Sequence, residues 1–212
     1  MKVIGDRNNQ KNNFNNIKME TTNTNKRLNG LLLIIAFLIS STTFSVIGQN
    51  DCKNLLRAVK ANDINKVTEL LKTTEPDCIF RGDGEPRSPL VAATRNENLA
   101  MVKLLIEANA NVEFHAKGDE SPFIAASRTG NVELVKYFMS KGVKVNTKVK
   151  GNGTALIASV RNNHYEVSKL LLEKGANPYL ASSGDEYPIY HARQSKNKRL
   201  IKLLETNTKT QN

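Results

Sequence analysis

Residues 121–146 read SPFIAASRTGNVELVKYFMSKGVKVN, and this stretch decides the fold because it recurs along the chain. Its opening triplet has counterparts 33 residues apart, which begin at Ser88, Ser121, Thr154 and Tyr187. A fixed period of this size is typical of a solenoid, in which each repeat stacks on the next. The sequence therefore predicts an array of stacked repeats.

Aligned by this period, the repeats share apolar columns at helical spacing. A small residue, expected where paired helices meet, stands at Ala58, Ala93, Ala126, Ser159 and Ala192. The larger columns include Leu55, Leu90, Phe123, Leu156 and Ile189 in the first helices, and Val67, Val102, Val135, Ser168 and Ile201 in the second. Each first helix spans about two turns, which is too short to be stable alone, so its stability has to come from neighbouring repeats.

Residues with known backbone preferences mark the predicted helix ends. Prolines that suit a first helical turn are Pro89, Pro122 and Pro188. Residues that suit the left-handed position after a second helix are Asn109, Gly142 and Gly175. Asp51 is expected to cap a helix over residues 53–61. Gly-Asp and Gly-Asn pairs between repeats predict tight hairpin tips.

The start of each repeat resembles the ankyrin repeat, a 33-residue unit with T-P-L-H-x-A-A near its beginning. This resemblance implies an all-α solenoid of about five stacked helix-turn-helix units with hairpin-tip loops. The expected units lie near residues 52–84, 85–117, 118–150, 151–183 and 184–205, in an array over 49–205 that a loose tail, 206–212, follows. The family's His is replaced by Val91, Ile124, Ile157 and Tyr190, so the hydrogen bonds that it makes have to be absent or replaced. Polar outer residues predict that the first and last units are caps.

Residues 1–48 are predicted to be a disordered leader with a signal peptide. Lys26 and Arg27 precede nine apolar residues, 31–39, whereas a membrane span needs about 20. Small and polar residues follow, which predicts a cut before Gln49. Translation starts at Met1 or Met19, and the cleaved protein is expected to be periplasmic or secreted. The alternative is an uncleaved membrane anchor through residues 28–48.

The chain has 31 basic and 20 acidic residues, a formal charge of +11. After residue 48 the numbers are 25 and 18, a balance of +7. A positive field favours acidic partners. The absence of Trp argues against a base-stacking surface for single-stranded nucleic acid. We therefore expect a monomeric protein that binds a protein partner, with an acidic partner as one hypothesis, and not nucleic acid.

In the ankyrin family, partners lie across the hairpin tips and the concave faces of the first helices. Carried over to this sequence, the implied helix residues are Arg95, Asn96, Arg128, Thr129, Arg161 and Asn162. The implied tip residues are Asp119, Glu120, Asn152, Asp185 and Glu186, together with Glu85 and Arg87. The basic column of Lys60, Arg95, Arg128 and Arg161 has two interpretations. It is a row of positive charges, a basic rail, that attracts an acidic partner, or it reflects the preference of basic residues for helix C-termini.

Catalysis has little support in the sequence. His115, His164 and His191 have no carboxylate or Cys at ligand spacing, so neither a metal nor a cofactor is expected. Cys52 and Cys78 are an even number of cysteines in a chain expected to be exported, which predicts a disulfide across the first unit. Loop closure by that bond is worth about 3 kcal/mol.

The leading hypothesis is therefore a non-catalytic envelope protein that acts as a scaffold, a stress accessory or a toxin-neutralising immunity protein. The alternative is a small redox or hydrolytic protein that uses the Cys pair. A secreted eukaryotic protein is a third hypothesis, because Asn152-Gly153-Thr154 matches the glycosylation acceptor pattern.

Overall fold

The computed structural model describes residues 50–82, 87–182, 184 and 186–209, all within one compact unit, Gln49–Asn212. The leader, Met19 and the predicted cut lie outside these residues. The helices are α1 (50–60), α2 (Ile64–Leu70), α3 (Pro89–Arg95), α4 (Leu99–Glu107), α5 (Pro122–Thr129), α6 (Val132–Ser140), α7 (Ala155–Arg161), α8 (Tyr165–Glu173), α9 (Pro188–Gln194) and α10 (Lys198–Lys209). The predicted all-α repeat fold is confirmed.

Helices pack as five consecutive pairs, and each pair is called a unit below. First helices contact first helices along the array, from α3 to α5, α7 and α9, and α8 contacts both α6 and α10. The core lies between these layers, where the small residues Ala93, Ala126 and Ser159 are fully buried. Ser159 and Ser168 occupy two core columns, and their hydroxyl oxygens lie 2.8 Å apart. Their hydrogen bond compensates for burying two polar groups among apolar side chains.

The first residue of each repeat motif caps a first helix. The side-chain oxygens of Ser88, Ser121 and Thr154 accept hydrogen bonds from the backbone N–H three residues later. Proline occupies the first turn of α3, α5 and α9, as predicted. The corresponding residue before α9 is Tyr187, whose side chain makes no capping hydrogen bond.

The second helices begin with caps that also join neighbouring units. Asn98 and Asn197 cap α4 and α10, and they donate to Asn62 and Asn163 in the preceding units at 3.1 Å. His164 stands at the same position before α8 but does not cap it. Its Nε2 instead donates to the Arg128 carbonyl in the preceding unit at 2.8 Å.

The His164 ring requires a glycine beside it. Gly130 ends α5 with φ +81°, and a Cβ placed there would collide with the imidazole. The left-handed ends predicted for the second helices are confirmed, with φ values of +69° at Asn109, +84° at Gly142 and +85° at Gly175.

Two local predictions were wrong. Asp51 does not cap a helix that starts at residue 53, because residues 50–60 are already helical and the burial of Cys52 holds this turn against the core. Residues 206–209 are not a loose tail, because α10 extends to Lys209. Thr206 Oγ1 and Asn207 Nδ2 donate to carbonyls one turn earlier at 2.9 and 2.8 Å, so both side chains fold back onto the helix.

Apolar packing takes the place of the family's His. Val91, Ile124 and Ile157 are at most 1% exposed, and Ile124 packs with Val149 of its own unit and Ala158 of the following unit. Tyr190, at the equivalent position in the fifth unit, is 44% exposed.

The first unit contains a disulfide. Cys52 and Cys78 are bonded, with their Cα atoms 5.7 Å apart, and Cys52 is buried. An isolated antiparallel bridge joins Phe80 and Arg87 in the connection between the first and second units. None of the helices in the described ranges is long and apolar enough to cross a membrane.

Candidate partner-binding surface

The first-helix face consists of the side chains at the C-terminal ends of the first helices, from α1 to α9. Its members are Lys60, Arg95, Asn96, Arg128, Thr129, Arg161, Asn162 and Gln194. Asn96 Nδ2 donates to the Val59 and Lys60 carbonyls at 3.3 and 3.2 Å, so this Asn joins the first and second units. Asn96 and Asn162 are both exposed, and both use Nδ2 to bond backbone carbonyls.

Arg95 is paired with two carboxylates in the next unit. Its Nη2 lies 2.8 Å from Asp119 Oδ1, and its Nε lies 2.8 Å from Glu120 Oε1. Both acidic side chains are fully buried, whereas the Arg95 side chain is 26% exposed. Buried ion pairs are screened weakly by solvent, so these contacts fasten the second unit to the third.

Arg128 continues this network into the fourth unit. Its Nε lies 2.7 Å from the other Glu120 oxygen, and its Nη2 donates to Asn152 Oδ1 at 3.2 Å. Glu120 therefore bridges two arginines from successive units. We call Arg95, Asp119, Glu120, Arg128 and Asn152 the inter-unit network.

The network changes the interpretation of both the basic column and the acidic tip. Asp119 and Glu120 were expected at an exposed hairpin tip, but they are each 1% exposed. Gly118, at φ +91°, is the third residue of a turn that the Asp119 N–H closes by donating to the Ala116 carbonyl, and this turn brings both acids to Arg95. Two arginines and two carboxylates cancel in charge, so Arg95 and Arg128 do not form an uncompensated basic rail.

Arg161 differs from the other two arginines. Its Nη2 is 3.8 Å from Glu186 Oε2, and that oxygen also accepts a hydrogen bond of 2.8 Å from Ser182. Arg161 Nη2 also donates to His191 Nε2 at 3.3 Å, which requires an imidazole nitrogen without a proton. Burial lowers the pKa of His191, the Arg161 charge lowers it further, and Glu186 partly opposes both. Arg161 is thus 37% exposed beside a loosely held carboxylate and a neutral ring.

Three tyrosines in the last two units escaped the sequence prediction. Tyr179, Tyr187 and Tyr190 are 47%, 36% and 44% exposed. A signal was present, because Tyr187 and Tyr190 replace the Ser or Thr and the Val or Ile of the inner repeats.

The remaining predicted tip residues do not form one cluster. Asp185 and Glu85 lie outside the described residues, and Arg87 forms the backbone bridge with Phe80. Asn152 and Glu186 are held by Arg128 and Ser182, respectively. The Thr129 hydroxyl donates to the Ala126 carbonyl at 3.1 Å, so this side chain is partly fixed.

The described ranges contain neither a metal site nor a free thiol. No cluster of three or more His, Cys, Asp or Glu residues there could hold a metal ion. Cys52 is 2% exposed and bonded to Cys78, which is unlike the exposed, low-pKa thiol that redox catalysis needs.

Comparison with protein-family models matches the ankyrin repeats, three copies, over residues 55–149 and 112–182. Among curated proteins, none matches the chain. The family match agrees with the helix pairs, the 33-residue period and the hydroxyl caps described above. The chain therefore belongs to the ankyrin-repeat family, whose repeats serve as modules for protein–protein interaction.

Proposed function

We propose that this chain is an exported, non-catalytic protein that holds one partner protein on its first-helix face and hairpin tips. The observation that carries the proposal is the continuous row of polar side chains on successive first helices. Asn96, Arg161, Asn162 and Gln194 are exposed there, and the helices that present them pack directly against one another. Polar side chains presented by packed helices suit recognition of another protein surface.

The charge of the array supports an acidic partner. The balance after residue 48 is +7, and the inter-unit network contributes nothing to it. Arg161 and the exposed Lys60 are the cations on this face that lie outside the network. A partner with acidic side chains would associate faster and would orient toward them.

Export is supported by the leader pattern and by the disulfide, since such bonds persist in oxidising compartments. Within the envelope, scaffolding, a stress-related accessory role and toxin neutralisation are all consistent with a non-catalytic binder. The alternative location is the membrane, through an uncleaved segment at residues 28–48.

Affinity capture with the full chain, followed by mass spectrometry of the retained proteins, tests the binding role. Asn162→Arg on the first-helix face should abolish retention of the specific partner. Asn65→Arg, the same substitution on exposed α2, is the matched control and should retain it. Equal retention by both variants would contradict this location of the binding surface. N-terminal sequencing that begins at Gln49 would support export, and recovery of Met1 or Met19 would contradict it.

A further inference from the structure

At the start of its first helix, the fifth unit exposes aromatic side chains at positions that are buried in the second to fourth units. Tyr187 and Tyr190 stand three residues apart at the start of α9, so they share one helix face. Their counterparts in the inner units are covered by the following unit and are at most 7% exposed. The described chain places no further unit over α9, so these rings form an accessible surface.

A pocket opens beside this surface. It has a volume of about 250 Å³, and its lining residues are Pro178, Tyr179, Tyr187, Ile189 and Leu204. Pockets for whole drug-sized ligands measure about 300–1,000 Å³. The smaller apolar volume here is suited to one large side chain of a partner, and buried aromatic anchors of this kind dominate binding energy.

A cation also contacts α9. The Tyr190 ring contacts the His191 ring edge-on, with centroids 5.3 Å apart, and His191 accepts a hydrogen bond from Arg161. Tyr187 directly precedes α9, and His191 follows it by four residues, which is about 6 Å along the helix axis. Arg161 makes only a 3.8 Å contact with Glu186, whereas Arg95 and Arg128 hold carboxylates at 2.7–2.8 Å.

We propose that the end of the array, where the fourth and fifth units meet, binds a partner segment that inserts a large apolar side chain between Tyr179 and Tyr187 and places a carboxylate on Arg161. This inference rests on the proposed function and adds the chemistry of the partner. An extended peptide advances about 3.3 Å per residue, so the anchor and the carboxylate should be about two residues apart. Charge favours an acidic segment over a second copy of this chain. Self-association of this end would bring together two sets of exposed lysines, which are Lys196, Lys198 and Lys202.

The probes are short Gly/Ser peptides with one Trp and one Glu about two residues apart. Matched peptides carry Gln in place of Glu, or Ala in place of Trp, and all carry the same fluorophore for anisotropy measurements with the full chain. Because the chain contains no Trp, a blue shift of Trp emission reports burial of the peptide anchor alone. The Trp–Glu peptide should bind about two- to fivefold more tightly than its Gln counterpart, as expected for a partly exposed ion pair. The Ala peptide should bind at least about fivefold more weakly.

Variants of the chain assign the two contacts. Tyr187→Ser should weaken the Trp–Glu peptide at least about fivefold, the cost of losing an interface anchor. The fold should survive, since Ser caps the equivalent helices α3 and α5. Arg161→Gln should remove the tighter binding of the Trp–Glu peptide relative to its Gln counterpart. Arg199→Gln is the charge-matched control and should leave this difference in affinity unchanged. In the unsubstituted chain, Trp–Glu binding should raise the pKa of His191 in an NMR titration, because a carboxylate favours the charged imidazole.

Several results would overturn the proposal. They are failure of the Trp–Glu peptide to bind, an unchanged affinity in Tyr187→Ser, and equal effects of Arg161→Gln and Arg199→Gln. Sedimentation of the chain as a dimer that Tyr187→Ser dissociates would assign this end to self-association instead. Undiminished retention of a captured partner by Tyr187→Ser, with loss in Asn162→Arg, would refute this site and leave the proposed function standing.

Discussion

Replacing Arg95, Arg128 and Arg161 by Gln, one at a time, tests whether arginines fasten the repeats together. The three side chains occupy equivalent positions at the ends of α3, α5 and α7, and Gln keeps part of their aliphatic stem and a polar end. Their acidic partners differ in burial, since Glu120 is fully buried and Glu186 is 45% exposed. The same substitution therefore removes ion pairs of graded strength, which are two buried pairs at Arg95, one at Arg128 and one exposed pair at Arg161.

The expected losses in unfolding free energy follow this grading. Arg95→Gln leaves Asp119 buried without its cation, and breaking a buried pair costs about 3–5 kcal/mol. We expect the lower end, about 3 kcal/mol, because the Arg95 side chain is 26% exposed. Arg128→Gln should cost about 1–2 kcal/mol, since Glu120 keeps its bond to Arg95.

Arg161→Gln should cost about 0.5 kcal/mol or less, as for other exposed pairs. Urea unfolding followed by circular dichroism measures all three variants under the same conditions. The unfolding midpoint should fall most for Arg95→Gln and least for Arg161→Gln. Equal midpoints, or the largest loss for Arg161→Gln, would refute the inter-unit network as a source of stability.

Three further predictions concern the first unit, His191 and a hairpin. Reduction of the disulfide, or Cys78→Ser, should lower the unfolding free energy by about 3 kcal/mol through loop entropy, and unchanged urea midpoints would contradict this. The pKa of His191 lies below its ordinary value of 6.5, so its stabilising contribution is complete above that pH and is lost as pH falls through the folded-state pKa. In an NMR titration, Arg161→Gln should move this pKa upward, and a downward shift would exclude Arg161 as a cause. Gly151 and Gly153 both have positive φ, so replacing either by Ala should lower the free energy of unfolding by about 1 kcal/mol or more. In thermal melts, Gly153→Ala should lose about 1–2 kcal/mol more unfolding free energy than Gly151→Ala, because its Cβ would lie 3.0 Å from Ser182. Equal losses in the two variants would contradict this packing argument.

The repeat period predicted the architecture because stacking needs the same residue type at the same place in each unit. Ala93 and Ala126 are completely buried, as the small column predicts, and Ser121 caps α5 where the motif begins. Each of these features depends on one unit and its immediate neighbour. Asp51 was misassigned because the sequence does not show that burial of Cys52 extends α1 upstream.

The candidate surface was predicted only in part. The sequence located the arginine column, but the pairing of Arg95 with Glu120 joins residues 25 positions apart and depends on how the loop turns. An acidic residue after Gly118 suits an exposed tip equally well, so burial of Asp119 could not be predicted from its type. Tyr190 could have been found, because a large aromatic side chain in a column of Val and Ile has no room inside a unit of the same size.

Site-specific photo-crosslinking tests most directly whether this chain holds a partner on its first-helix face. A photoreactive amino acid would replace Asn96 or Asn162 on that face, and Asn65 or Lys136 on the outer helices, in the full chain in its native host. All four side chains are exposed, so equal access to solvent does not separate them. The account predicts one discrete adduct from positions 96 and 162, with none from positions 65 and 136. Adducts only from the outer helices, or from none of the four positions, would contradict it.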